Sequence, residues 1–317
     1  MENENIKKGL IFGFLGTFIG GLNPIIANSR PEIIDAYLFA AMTVIVQAVI
    51  FFPLLIIERN KIKSEFKDQL ITFNEMDAFL YGYKKNIPLL VFAGLSFGIC
   101  FILFYEGYKF AGAINGNLVL KTTIFFSLLF DWVILREKIS IRQIFFSFFL
   151  FFGLFLAISR ASFNLLELNI GVFILLSVSG IWMFTHAISK SMLDRKEITS
   201  IQLVCVRNLI SSIFLFSTYF LFYPFDNIRL LIDSIVLSWG ILMGAVYGIG
   251  LYLWYKLLEN INVSKSTVII SGNIIFTALF ATLFLGEVFT IYHLLGTALI
   301  ISSIIIIVNP MKKEESN

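Results

Sequence analysis

Apolar residues in this chain come in long unbroken runs instead of the two-residue or 3.6-residue alternation of half-buried elements. A helix needs about 20 such residues to cross the hydrocarbon core of a bilayer. Runs near that length fall at 9–28, 37–57, 88–108, 113–135 and 141–159, then at 170–190, 201–223, 235–257, 263–285 and 290–309. The polar breaks between them are short, as antiparallel neighbours require, except for 58–87, a polar stretch with Lys61, Lys63, Lys67, Lys84 and Lys85. The pattern predicts an all-α polytopic membrane protein of ten transmembrane helices. The first run follows Lys7 and Lys8 as a signal peptide would, but it is long for a signal core and lacks an A-x-A-like exit. It is read as the first membrane helix.

Composition agrees with that reading and orients it. Charged residues make up 14% of the 317, against roughly 25% in soluble domains, and the mean hydropathy is +0.88. Cys100 and Cys205 lie inside apolar runs and read as small packed hydrophobes, with neither disulfide nor metal-ligand spacing. Lys and Arg collect in alternate loops: 17 fall on the side of both termini and 4 (Arg30, Lys109, Arg160, Arg229) on the other. Excess positive charge marks cytoplasmic loops, so both termini are expected in the cytoplasm, with a bacterial-type inner membrane the simplest location. Lys121, Arg207 and Lys265 fall within spans.

The chain also repeats itself. Shifted by 150 residues, 94–108 (GLSFGICFILFYEGY) falls on 244–258 (GAVYGIGLYLWYKLL), and Gly94, Gly98 and Tyr105 meet Gly244, Gly248 and Tyr255. The register continues to Glu137 and Glu287, with 11 of 44 positions identical. Five spans per half is an odd number, so the second half enters the membrane from the opposite side. Residues 1–160 form one five-helix repeat with the loop 58–87, residues 168–309 the inverted second repeat, and 310–317 a cytoplasmic tail. Inverted repeats are the usual basis of alternating access, with substrate near the midplane between halves. The pairs Gly94/Gly98 and Gly244/Gly248 are spaced for close helix approach.

Helices ending in LREKIS (135–140) and LGEVFT (285–290), each followed by another span, resemble the EamA repeats of the drug/metabolite transporter superfamily. Gly153, Gly296, Lys190 and Arg207 also match that pattern, and the resemblance runs from about 9 to 309. The first half has no basic residue matching Arg207, and the proline frequent in the fourth and ninth spans is absent. The resemblance implies a secondary transporter of small organic metabolites.

Charge inside a membrane helix costs roughly 2.5–3.5 kcal/mol on insertion scales, so such residues are candidates for function. Lys121 lies mid-span, with Asn117 one turn earlier on the same face. The pair suits a carboxylate or phosphate, although Lys121 can also serve structure by pairing with backbone carbonyls. Some sugar-phosphate and nucleotide-sugar carriers of the resembled superfamily have a lysine in the fourth span, which Lys121 resembles. Trp182, Tyr247 and Tyr105 are amphipathic rings inside spans, Ser271 holds the repeat position of Lys121, and Asn23 precedes Pro24 where a helix can open; these complete the candidate substrate site. Asp131 and His186 are the candidates for proton coupling. Arg207 reads as structural, Lys265 as a snorkelling surface lysine, and Glu137 and Glu287 as helix caps or loop anchors.

There is no GxxxxGK loop, no HExxH and no intramembrane Ser-His arrangement, so an enzyme, a metal site, a cofactor and nucleic-acid binding are not expected. The first reading is a secondary transporter of an amino acid or similar compound with an anionic group, coupled to protons or a counter-substrate. The second is an exchanger of phosphorylated or nucleotide-linked metabolites. The third is a non-transporting receptor or assembly factor on a transporter fold.

Overall fold

The structure is a computed structural model and describes residues 2–135, 140–160, 169–261 and 263–308. The first crossing is made by α1 (Glu2–Gly20) and α2 (Asn23–Ser29), and the second by α3 (Ala36–Lys67). After α4 (Phe73–Tyr81), the third crossing is α5 (Ile87–Ala111), the fourth is α6 (Ala113–Val119) with α7 (Thr123–Leu135), and the fifth is α8 (Ile141–Ile158). The second half follows with α9 (Ile170–Asp194), α10 (Ser200–Phe222), α11 (Ser234–Asn260), α12 (Val263–Ser271) with α13 (Asn273–Phe280), and α14 (Ile291–Val308). Among the described residues, nine helical runs are long and apolar enough to cross a membrane, and Ile291–Ile307 is a shorter apolar helix. Helices dominate because lipid offers no partner to a free backbone N–H or C=O.

Polar residues at the loop edges start the helices. Asp35 accepts from the Leu38 N–H at 2.8 Å to open α3, and Thr199 with Gln202 forms a reciprocal cap on α10. The stretch 58–87 is more ordered than its polarity suggests. The helix α3 runs on to Lys67 with a Lys61–Glu65 pair one turn apart, and Thr72 and Glu75 cap α4. The ion pair supports the helix surface and the cap satisfies backbone N–H groups, while Ile62 and Leu80 are buried.

The packing obeys an exchange of halves. The most extensive contacts are α8 with α14, α3 with α10, α5 with α9, α1 with α11, α3 with α11, and α5 with α10. Exchanging α1 for α9, α3 for α10, α5 for α11 and α8 for α14 maps that set onto itself. The glycines show why. A Cβ on Gly94 would stand 2.5 Å from Ile210 and 3.1 Å from the Arg207 carbonyl. On Gly244 it would stand 2.5 Å from Val46 and 3.1 Å from the Thr43 carbonyl. The expected small-residue pairs are therefore the points where α5 and α11 press onto α10 and α3. Gly153 and Gly296 meet each other across α8 and α14.

Candidate functional site

Three crossings break at one level. The first breaks at Gly21–Leu22 between α1 and α2, and the ninth at Gly272 between α12 and α13. The fourth tightens to a 3-10 turn over Leu120–Thr122 between α6 and α7. The Thr17 hydroxyl donates to the Ile269 carbonyl at 3.0 Å and Thr277 to the Gly21 carbonyl at 3.2 Å, so the breaks are tied to one another. Irregular backbone at membrane depth is tolerated where it is buried in protein or lines a cavity.

The breaks enclose a cavity of about 170 Å³. One wall carries Asn117, Lys121, Thr267, Ser271 and Asn273; aromatic residues Phe104, Tyr108, Trp182, Tyr247 and Trp254 form much of the rest, with His186, Asn23 and Pro24. The lining pairs by repeat position: Phe104 with Trp254, Asn117 with Thr267, Leu120 with Ile270, Lys121 with Ser271, and Thr123 with Asn273. A cavity lined by matched positions of two inverted halves sits on their common axis.

Lys121 is 5% exposed, and its ammonium donates to Asn273 Oδ1. The Asn117 amide donates to the Thr277 hydroxyl. Among the described residues, Lys121 is the one Lys or Arg in the lining, and no Asp or Glu joins it there. An unpaired buried ammonium lacks the compensation that burial of charge demands. Here a neutral amide and the carbonyl end of α6 provide part of it. His186 Nδ1 accepts from the Trp254 indole at 3.3 Å, which assigns the ring a neutral form protonated at Nε2. Ser271 donates to the Thr267 carbonyl of its own helix at 2.6 Å. Trp182 Nε1 and Asn23 Oδ1 find no hydrogen-bond partner in the protein. Among the described residues no three His, Cys, Asp or Glu side chains gather. The cavity's chemistry is thus one ammonium, several neutral hydrogen-bonding groups and aromatic faces.

The EamA-like transporter family matches the sequence over residues 7–159 and 169–309. The chain belongs to that family. It is a multi-pass membrane protein, and the two matched segments are the two halves whose contacts exchange. A solved crystal structure superposes on this EamA-like chain with a TM-score of 0.64 over 95% of it and 96% of that chain, at 13% identity, which speaks to the fold alone. Two curated relatives are probable 4-amino-4-deoxy-L-arabinose-phosphoundecaprenol flippase subunits ArnE. One is from Yersinia pseudotuberculosis serotype O:1b (strain IP 31758), 34% identical over 73 residues. The other, from Yersinia pestis (strain Pestoides F), is 33% identical over 73 residues. Each match spans 23% of this chain and 64% of the relative, so less than two thirds of the relatives' own length is covered.

Of the nine candidate residues read from the EamA-like sequence, Lys121, Asn117, Tyr247, Trp182, Ser271, Asn23 and His186 line the cavity. Tyr105 does not: it is fully buried against Phe39, and its hydroxyl meets that of Thr43 at 2.8 Å. Its depth was legible but its helix face turns to α3, away from the cavity. The side chain of Asp131 lies outside the described residues, as do Glu137 and the side chain of Lys265. Arg207 is also outside the lining, fully buried with its guanidinium 3.7 Å from the Phe97 ring centroid and donating to the Tyr255 hydroxyl at 2.9 Å. Sequence reasoning missed Asn273 and Thr277, the partners of Lys121 and Asn117. The signal available was the repeat register, which places Asn273 opposite Thr123, two positions from Ser271.

Proposed function

We propose that the protein is a secondary transporter that carries a small organic metabolite with an anionic group through this cavity by alternating access. The observation that carries the reading is Lys121, a buried ammonium in a lining whose described residues include no carboxylate, on a broken helix between two exchangeable halves. Such a site attracts a carboxylate or phosphate by replacing the amide of Asn273 with a full charge. The aromatic wall accommodates the remainder of the substrate, which favours an amino acid or similar compound. With no nucleotide-binding motif in the sequence, the energy comes from protons or a counter-substrate, and His186 is the histidine of the lining available for proton coupling. The protein works as a carrier without catalytic chemistry. The inner membrane with both termini in the cytoplasm is supported by the 17-to-4 distribution of Lys and Arg.

A second reading, a carrier of phosphate-bearing metabolites, draws on the same ammonium and on the phosphate in the relatives' names. One experiment separates the two. Thermal melting of detergent-purified protein is measured with glutamate, phenylalanine, glucose 6-phosphate, a nucleoside diphosphate sugar and cationic dyes. A ligand that binds only the folded state raises the melting point by mass action. Stabilisation by an anion or zwitterion in the parent but not in Lys121→Ala supports the proposal, and the compound class chooses between readings. Stabilisation by cationic dyes alone, unchanged in Lys121→Ala, refutes both.

A further inference from the structure

Asn117 lies on α6 and Lys121 in the 3-10 turn that follows it, and the first turn of α6 is gripped by the other half of the protein. The Glu287 carboxylate, past the end of α13, accepts from the Ala113 N–H at 2.7 Å and from the Ile114 N–H at 2.9 Å. A second grip comes from His293 at the start of α14. Its Nδ1 accepts from the Thr290 N–H at 3.0 Å. Nε2 is then the protonated nitrogen, and it donates to Asn115 Oδ1 at 3.0 Å. Two residues further along α6, Asn117 donates to Thr277, and in the turn just past its end Lys121 donates to Asn273. Four successive cross-half rungs therefore join α6 to α13 and α14, from the helix's free end down to the cavity.

We propose that Glu287 is a positioning residue for the cavity's cation: it holds α6 against α13, and the ladder it heads closes the cavity on the face opposite the lysine-rich loops. Three physical features support the assignment. Two charge-assisted bonds to otherwise orphaned N–H groups are stronger than neutral ones. A carboxylate at one end of a short helix and an ammonium at the other both complement its dipole, so Glu287 and Lys121 are coupled through α6. The innermost rung is the one a substrate anion breaks, because it competes with Asn273 for the Lys121 ammonium. Occupancy thus loosens the ladder from its inner end, while Glu287 sets how firmly the rest holds.

This inference rests on the cavity being the substrate site, and its test does not need the substrate. A cysteine is placed at Ser271, which lines the cavity and bonds only to its own helix. Its reaction with the membrane-impermeant reagent methanethiosulfonate ethylsulfonate is timed in right-side-out and inside-out vesicles, against a parent in which Cys100 and Cys205 stay buried. Adding Glu287→Ala raises the rate from the outer face by about tenfold or more, the effect of losing two charged hydrogen bonds, and leaves the rate from the inner face unraised. Glu287→Gln, which keeps one acceptor oxygen, gives a smaller rise of the same one-sided kind. If Glu287→Ala fails to fold, Glu287→Gln and His293→Phe carry the test, each removing part of one rung. Unchanged outer-face rates in these variants, or equal rises from both faces, overturn the proposal. Either result leaves anion binding by Lys121 to be judged separately by melting, so the gate and the site fail independently.

Discussion

The two halves of the protein share a scaffold and differ in chemistry. Lys121 and Ser271 occupy the same repeat position beside matching breaks in the fourth and ninth crossings, and both line the cavity. One presents an ammonium bonded across the interface; the other turns its hydroxyl back onto its own helix. A second pair behaves likewise. The contacts of Gly94 and Gly244 place Arg207 and Thr43 at equivalent points on α10 and α3. Arg207 donates to the Tyr255 hydroxyl at 2.9 Å, and the Thr43 and Tyr105 hydroxyls meet at 2.8 Å. The missing first-half counterpart of Arg207 is therefore a threonine making the equivalent bond with an uncharged group. The packing is symmetric between the halves; under the proposed function it is the unequal charge that selects the cavity's ligand.

The largest effect is expected where the asymmetry is removed. Lys121→Ser makes the two central positions alike and should abolish anion-dependent stabilisation and transport, with expression and melting of the empty protein retained. Adding Ser271→Lys restores an ammonium at the mirrored position. The double variant should recover most of the lost anion binding, a loss of about 10- to 150-fold for a single ionic hydrogen bond worth about 1.5–3 kcal/mol. No recovery would mean that the surroundings of Lys121, Asn117 and Asn273 above all, matter more than the position's depth.

Next comes the buried arginine. Arg207→Gln gives up the stacking on Phe97 and leaves the Tyr255 hydroxyl without its donor. We expect a loss of about 2–3 kcal/mol, against about 1 kcal/mol for Thr43→Ala, because the bond lost there is neutral. Melting in detergent, compared for both variants under one condition, checks the ranking; equal losses would show that the charge contributes nothing beyond its hydrogen bond.

The symmetric contacts should respond symmetrically. Gly94→Leu and Gly244→Leu each force a side chain into a helix contact where even a Cβ would stand 2.5 Å from its neighbour. Each should cost about 1–3 kcal/mol or prevent folding, the range for overpacking. A large effect at one glycine and none at the other would break the equivalence of the α5–α10 and α3–α11 interfaces.

Much of this architecture was legible because bilayer physics writes spans as runs of about 20 apolar residues and because the glycine pairs recur at one offset. Lys121 stood out for the cost of charge in lipid. Its partner did not: Asn273 is 152 residues away, and nothing local marks which of several polar residues in the ninth crossing turns towards it. The break at Leu120–Thr122 has neither proline nor glycine to announce it. It follows from contacts with the other half, which a one-dimensional pattern does not contain. Tyr105 shows the complementary failure, since hydropathy gives depth along a helix but not which face meets a cavity. Glu287 reads as a helix cap or loop anchor, and it does accept from helix N–H groups, but they belong to α6, 173 and 174 residues back in the chain.

The smallest effect separates the two faces of the membrane instead of the two halves. Beyond the end of α9, Glu197 accepts from the Asn86 amide and from Arg195, both at 2.8 Å, joining the α9–α10 turn to the segment before α5. Those hydrogen bonds hold its carboxyl below the usual carboxylate range. A depressed folded-state pKa stabilises the protein above the unfolded value, and that stabilisation fades as pH falls towards the folded one. The melting point should therefore drop more between pH 6 and pH 4 in the parent than in Glu197→Gln, which cannot gain the proton. The difference should be small, because its ionic partner Arg195 is about half exposed and solvent screens the pair. Glu287 anchors two backbone amides on the opposite face, so Glu287→Gln should lower stability and loosen the cavity seam, whereas Glu197→Gln should leave the rate of cavity labelling unchanged. A comparable change in labelling from Glu197→Gln would show that the cytoplasmic tie and the α6 ladder act as one gate.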